Sequence, residues 1–131
     1  MIVVDASVLA NALADDQAAG EAARDELRAA DQVTAADLID VETVSVLRKR
    51  WLGRTLSDRR FEAAVGHLQQ LRFERVPTLR LVRRAFELRA NVGAYHACYV
   101  ALAERLDCEL LTADGRLAAA PGPGCAIRVL R

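Results

Sequence analysis

Met1-Ile2-Val3-Val4-Asp5-Ala6-Ser7-Val8 is the stretch on which the fold turns. Ile2, Val3 and Val4 are consecutive β-branched residues, and a short apolar run of that kind reads as a strand covered on both faces, as in a parallel sheet. Asp5 ends the run. A carboxylate at the end of a buried strand is costly unless it is paired or metal-bound. The run has no basic flank and an acid breaks it early, so it is a poor secretory leader and a good first strand.

The same pattern recurs outward from it. Ser7 to about Ala14 is expected to be helical, then Gln17 to about Ala30, with Asp15 or Asp16 as N-cap. Gln32–Thr34 reads as a short strand, and about Ala36 to Trp51 as a helix stopped by Gly53. Ser57 caps a helix to about Leu71, Phe73–Val76 is a strand ended by Pro77, and Thr78 caps a helix to about Ala90 whose core candidates are Leu81, Phe86 and Leu88. Tyr95 to about Leu106 is a helix, Glu109–Thr112 a strand and Asp114–Ala119 a short helix. Pro121-Gly122-Pro123-Gly124 turns the chain into a last strand, Ala126–Val129. Strands alternating with helices imply an α/β three-layer sandwich, a five-stranded parallel sheet with helices on both faces. Sites in such sheets lie beyond the carboxyl ends of the strands, where both Asp5 and Asp114 fall.

Length and composition fit one domain, residues 1–131, able to bury a core without staples. The hydrophobic fraction is 53% and the charged fraction 27%, with no apolar stretch long enough to cross a bilayer. Cys98, Cys108 and Cys125 are odd in number and lack metal-binding spacing, which points to a cytosolic protein with small core thiols. Net charge is zero but segregated: residues 1–42 carry ten acids against two bases, and residues 48–89 carry twelve bases against four acids. Such separation suits a metal-dependent enzyme acting on a polyanion, and equally suits solvated helix faces that neutralise one another. No phosphate-binding glycine loop of the common nucleotide-binding kinds is present.

The residues that carry chemistry are four. Asp5 either serves a site or caps the helix after it. Glu42 interrupts an apolar stripe formed with Leu38, Ile39 and Val46, so it needs a metal, a partner such as Arg48, or a raised pKa. Asp114, in Leu110-Leu111-Thr112-Ala113-Asp114, presents a carboxylate two residues after a hydroxyl, or caps a short helix. His96 shares a helix face with Tyr99 and Val100 and is either a packing residue or a ligand. Carboxylates gathered at one sheet end repel unless a cation joins them, and oxygen donors suit Mg²⁺ or Mn²⁺. Around Trp51, the run Arg48, Lys49, Arg50, Arg54, Arg59 and Arg60 is placed to grip phosphates or an acidic partner segment, or to be a solvated helix end. An Asp5 nucleophile of the Asp-x-Asp kind is disfavoured because position 7 is Ser.

Taken together, these motifs resemble those of VapC-type PIN domains. The opening through Val8, the glutamate-bearing helix Ala36–Leu47, the stretch Tyr95-His96-Ala97-Cys98-Tyr99-Val100-Ala101-Leu102-Ala103-Glu104 and the closing Leu111-Thr112-Ala113-Asp114-Gly115-Arg116-Leu117 occur in the family's order across nearly the whole chain. The resemblance implies a PIN fold and the toxin of a type II toxin–antitoxin pair. It implies a divalent-metal endoribonuclease, neutralised by a VapB-like antitoxin and homodimeric. Asp5, Glu42 and Asp114 would be its acidic site residues, with Ser7 and Thr112 as supporting hydroxyls. The family's remaining acid falls at His96. Imidazole there removes a negative charge, so the chain is expected to be a weakened ribonuclease or a silent module that binds antitoxin or RNA. Full activity would need His96 to ligate a softer metal or carry a proton.

Overall fold

Five short strands run in one direction through the centre of the computed structural model, which describes residues 1–131. They are β1 (Ile2–Val4), β2 (Val33–Ala36), β3 (Glu74–Val76), β4 (Glu109–Thr112) and β5 (Ile127–Val129). Their order is β3-β2-β1-β4-β5, parallel throughout. The helices are α1 (Ala6–Ala14), α2 (Ala18–Ala29), α3 (Ile39–Leu52), α4 (Asp58–Gln70), α5 (Val82–Glu87), α6 (Ala94–Leu106) and α7 (Gly115–Ala119). This is the expected α/β sandwich.

Connectivity explains where a site can form. From β1 the chain steps outward to β2 and β3, then returns past β1 to β4 and β5. Right-handed crossovers in opposite directions put their helices on opposite faces. Thus α1 packs on α2, α3 and α4, while α6 lies across β1, β2 and β4. The strand order reverses between β1 and β4, and a crevice opens at such a switch point. Val3 and Val4 are aligned with Leu110 and Leu111 across it. All four are fully buried, as the β-branched and leucine runs require. Tyr99, Leu9, Ile39, Leu47, Leu81 and Leu102 complete the core around them. Gly20 lets α2 pass against the end of α1: a Cβ there would collide with the Asp15 and Asn11 carbonyl oxygens.

Local chemistry shifts several element ends. Strand β2 continues through Ala36, and α3 begins only at Ile39. Asp37 and Leu38 between them are held from β3's end: the Thr78 hydroxyl donates to Asp37 Oδ1 (2.5 Å) and accepts from Leu38 N (3.2 Å). Thr78 therefore clasps β2 to β3 instead of capping a helix, and the chain makes a 3-10 turn over Thr78–Leu81 before the short α5. In that segment Leu81 and Leu88 are buried, but Phe86 is exposed and carries Arg89 on its ring. Gln17 precedes α2 as its N-cap, with Asp15 accepting from the Gln17 amide instead of capping directly. Gly53 ends α3 at negative φ, and Arg54 takes the left-handed conformation after it. Cys98 is buried in the core, whereas Cys108 and Cys125 are half-buried against it.

Candidate functional site

Asp5 is a carboxylate buried to 1% exposure at the carboxyl end of the central strand. Four donors hold it. Ser7 N (3.1 Å), Val8 N (3.2 Å) and the Ser7 hydroxyl (2.5 Å) reach Oδ1, and the Thr112 hydroxyl (2.5 Å) reaches Oδ2. The capping reading is realised: the carboxylate caps α1, and the cap fixes it at the carboxyl end of the sheet. Each hydroxyl also accepts from the backbone at the exit of β4. Ser7 Oγ takes Ala113 N (2.9 Å) and Thr112 Oγ1 takes Asp114 N (3.0 Å). Two hydroxyls thus stitch the ends of β1 and β4 around one charge, and the second also sets the backbone of the next acid.

Glu42 reaches this end from α3. Its carboxylate is half-buried and pairs with no arginine; the Tyr99 hydroxyl donates to Oε1 (2.6 Å). Burial pushes the Glu42 pKa above the usual glutamate range, and the nearby Asp5 charge adds to the rise. Tyr99 and His96 pull the other way. The Tyr99 phenol is itself pushed up, by burial first and by Glu42 second. Glu42 Oε2 has no donor within the chain.

Asp114 caps α7 by accepting from Arg116 N (3.0 Å). The Arg116 guanidinium also grips both its oxygens, Nε to Oδ1 and Nη2 to Oδ2, each at 3.1 Å. That ion pair holds the Asp114 carboxyl below the usual aspartate range, with a smaller contribution from His96. His96 is half-buried and makes no hydrogen bond within the chain. It is the group whose charge acts on both Glu42 and Asp114. His96, Asp114, Arg116 and Asn91 line a recess of about 310 Å³ between the start of α6 and α7.

The structure thus brings Asp5, Ser7, Thr112, Asp114, Glu42 and His96 to one end of the sheet. It does not gather any three acidic, histidine or cysteine side chains as ligands of a single ion. Tyr99 and Arg116 belong to this constellation and were not singled out from the sequence. Tyr99 follows His96 by three, one helical turn, which was the available signal. The basic residues Arg48 and Arg50, with Trp51 beside them, lie apart, roughly 9–14 Å further along α3 than Glu42. Arg50 is bonded to Asn11 (2.6 Å) and Trp51 to Asp58 (2.5 Å), whereas Arg48 and Arg54 are exposed and unpaired.

Known proteins share this fold. Residues 2–123 match the family model described as PIN domain. The chain is 41% identical over 130 residues to Ribonuclease VapC1 of Mycobacterium tuberculosis, covering 98% of this chain and 97% of that protein. It is 40% identical to Ribonuclease VapC9 of the same organism, covering 99% and 98%. Among solved structures, that of Mycobacterium tuberculosis VapC20, described as a sarcin-ricin loop cleaving toxin, superposes with a TM-score of 0.70 at 20% identity. That match covers 91% of this chain and 94% of the other, and it is a likeness of fold.

Proposed function

The chain belongs to the VapC-type PIN-domain toxins, and from that premise we propose that it is the toxin of a VapB–VapC pair, a divalent-metal-dependent endoribonuclease hydrolysing RNA phosphodiester bonds. The observation that carries the proposal is Asp5: a fully buried carboxylate with four donors at the β1–β4 switch point, at the sheet end that Glu42 and Asp114 also reach. A buried charge maintained at that cost is better explained by chemistry than by helix capping alone.

Asp5, Glu42 and Asp114 are the residues that would hold Mg²⁺ or Mn²⁺. The donor set fits in type. All are hard oxygens, and Glu42 Oε2 is free. When bound, the ion would neutralise the phosphodiester and activate the attacking water. Ser7 and Thr112 orient Asp5, and Tyr99 orients Glu42. His96 stands where the family has an acid, so it lowers the negative charge offered to the metal and weakens the enzyme. Arg48, Arg50, Trp51 and Arg54 would meet RNA phosphates or an antitoxin segment. We read residues 1–131 as one domain, cytoplasmic and homodimeric; no helix is long and apolar enough to cross a membrane.

A second reading, a silent PIN module that binds antitoxin without cutting, is favoured by one fact: Asp114 is already held by Arg116. RNA cleavage by the antitoxin-free chain in Mg²⁺ or Mn²⁺ separates the two. Cleavage that EDTA and Asp5→Asn each abolish supports the ribonuclease. Antitoxin binding with no cleavage of any RNA pool supports the module.

A further inference from the structure

Asp114 is the candidate acid whose two oxygens are both held by a cation of the chain itself. The holder is only two residues away and its side chain is 92% exposed, against 19% for Asp114. Arg116 meets no other carboxylate and packs on nothing that fixes it, so rotation about its side-chain bonds alone frees it. A pair this exposed contributes little to the fold, yet it covers an oxygen pair that a metal ligand must present.

We propose that Arg116 is a swinging counter-ion, neutralising Asp114 in the free site and moving to an RNA phosphate when a divalent ion takes over that carboxylate. This rests on the divalent-metal and RNA binding of the ribonuclease reading, not on its cleavage step. The destination is the recess of about 310 Å³ that Arg116 shares with His96 and Asn91, next to the same sheet end. Its lining holds Asn91, His96 and Arg116 beside Asp114, and a guanidinium fork fits phosphate oxygens as it fits a carboxylate.

The test uses the full chain and its Arg116→Ala and Arg116→Lys variants, with unchanged circular dichroism and melting as the fold control. Mn²⁺ binding is read by electron paramagnetic resonance without RNA. Binding of a labelled RNA pool is read across salt concentrations, in Ca²⁺ and in EDTA. Arg116→Ala is expected to tighten Mn²⁺ binding about two- to fivefold, because a competing charge is gone. The same variant should weaken RNA binding in Ca²⁺ by about three- to tenfold and lower the salt slope by about 0.7, one phosphate contact on a single strand. In EDTA its RNA binding should change less than about twofold, since the guanidinium is then still on Asp114 in the parent chain. Arg116→Lys should recover part of the RNA affinity without the fork. Unchanged Mn²⁺ affinity, no Mn²⁺ binding by the parent chain, or unchanged RNA binding in Ca²⁺ overturns the exchange. Cleavage is a separate readout: shifts in both affinities without cleavage would reject the ribonuclease reading and keep the exchange, and normal cleavage without those shifts would do the reverse.

Discussion

Replacing Thr112 with valine deletes one oxygen and keeps the shape of the side chain. That oxygen donates 2.5 Å to Asp5 Oδ2 and accepts 3.0 Å from Asp114 N, at a position with no exposure. Loss of a hydrogen bond to a charged group costs about 1.5–3 kcal/mol, and a stranded amide adds about 1. The new methyl returns about 0.8 kcal/mol of burial. The net expectation is a loss of roughly 2–3 kcal/mol, which for a chain of this size lowers Tm by about 6–12 °C. Ser7→Ala removes the symmetrical hydroxyl and should cost somewhat less, because Ser7 is only partly buried. The two losses should not add, since both hydroxyls serve one carboxylate. Urea denaturation at neutral pH, with the slope unchanged and the midpoint lowered, measures each variant. A loss under about 0.5 kcal/mol for Thr112→Val would refute the idea that these hydroxyls pin a buried charge.

Further outcomes follow from the same geometry. Glu42→Gln should stabilise the chain at neutral pH by about 0.5–2 kcal/mol while abolishing cleavage, as is common for residues kept for function. The pH dependence has a definite sign. Glu42's folded pKa is raised above its ordinary value of 4.5, so the stability of holding it protonated is fully present below 4.5 and is lost as pH rises through the raised value. The gap between Glu42→Gln and the parent chain should accordingly widen from pH 4.5 to neutrality; a gap that narrows would contradict the burial of that charge. Tyr99→Phe removes the donor to Glu42 and should cost about 1.5–3 kcal/mol at neutral pH, shrinking in acid as the carboxyl protonates. Gly20→Ala should cost about 2 kcal/mol or more by forcing α2 away from the Asp15 carbonyl, and a neutral melting curve would show that the α1–α2 contact yields freely.

The sheet was legible because each strand announces itself chemically. Ile2-Val3-Val4 and Leu110-Leu111 are short apolar runs that suit doubly covered strands, and an acid follows each at the same sheet end. From that placement alone, Asp5 and Asp114 could be set side by side. Boundaries failed where tertiary bonds overrode local preference: Ala35 and Ala36 favour helix, yet pairing with Arg75 and Val76 keeps them in β2. Thr78 looks like a cap until Asp37, far away in sequence, claims its hydroxyl. Phe86 fits an apolar stripe, but α5 is too short to bury it. In the site, Glu42 was found by its break in the stripe, whereas its partner Tyr99 lies 57 residues away and no local pattern joins them. Arg116 escaped notice for the opposite reason: it is an ordinary exposed arginine, and only its fork on Asp114 gives it meaning.

The central claim is metal-dependent RNA hydrolysis at the Asp5–Glu42–Asp114 end, held back by His96. The most direct measurement compares RNA cleavage and Mn²⁺ affinity of this chain with those of His96→Asp, both freed of antitoxin, in Mg²⁺, in Mn²⁺ and in EDTA. The predicted result is tighter Mn²⁺ binding by the Asp variant, by about tenfold or more, the size that changes around a metal site commonly have. Its cleavage should be faster than the parent's and vanish in EDTA. Cleavage that persists in EDTA, or an Asp variant that neither binds Mn²⁺ more tightly nor cuts faster, would contradict it.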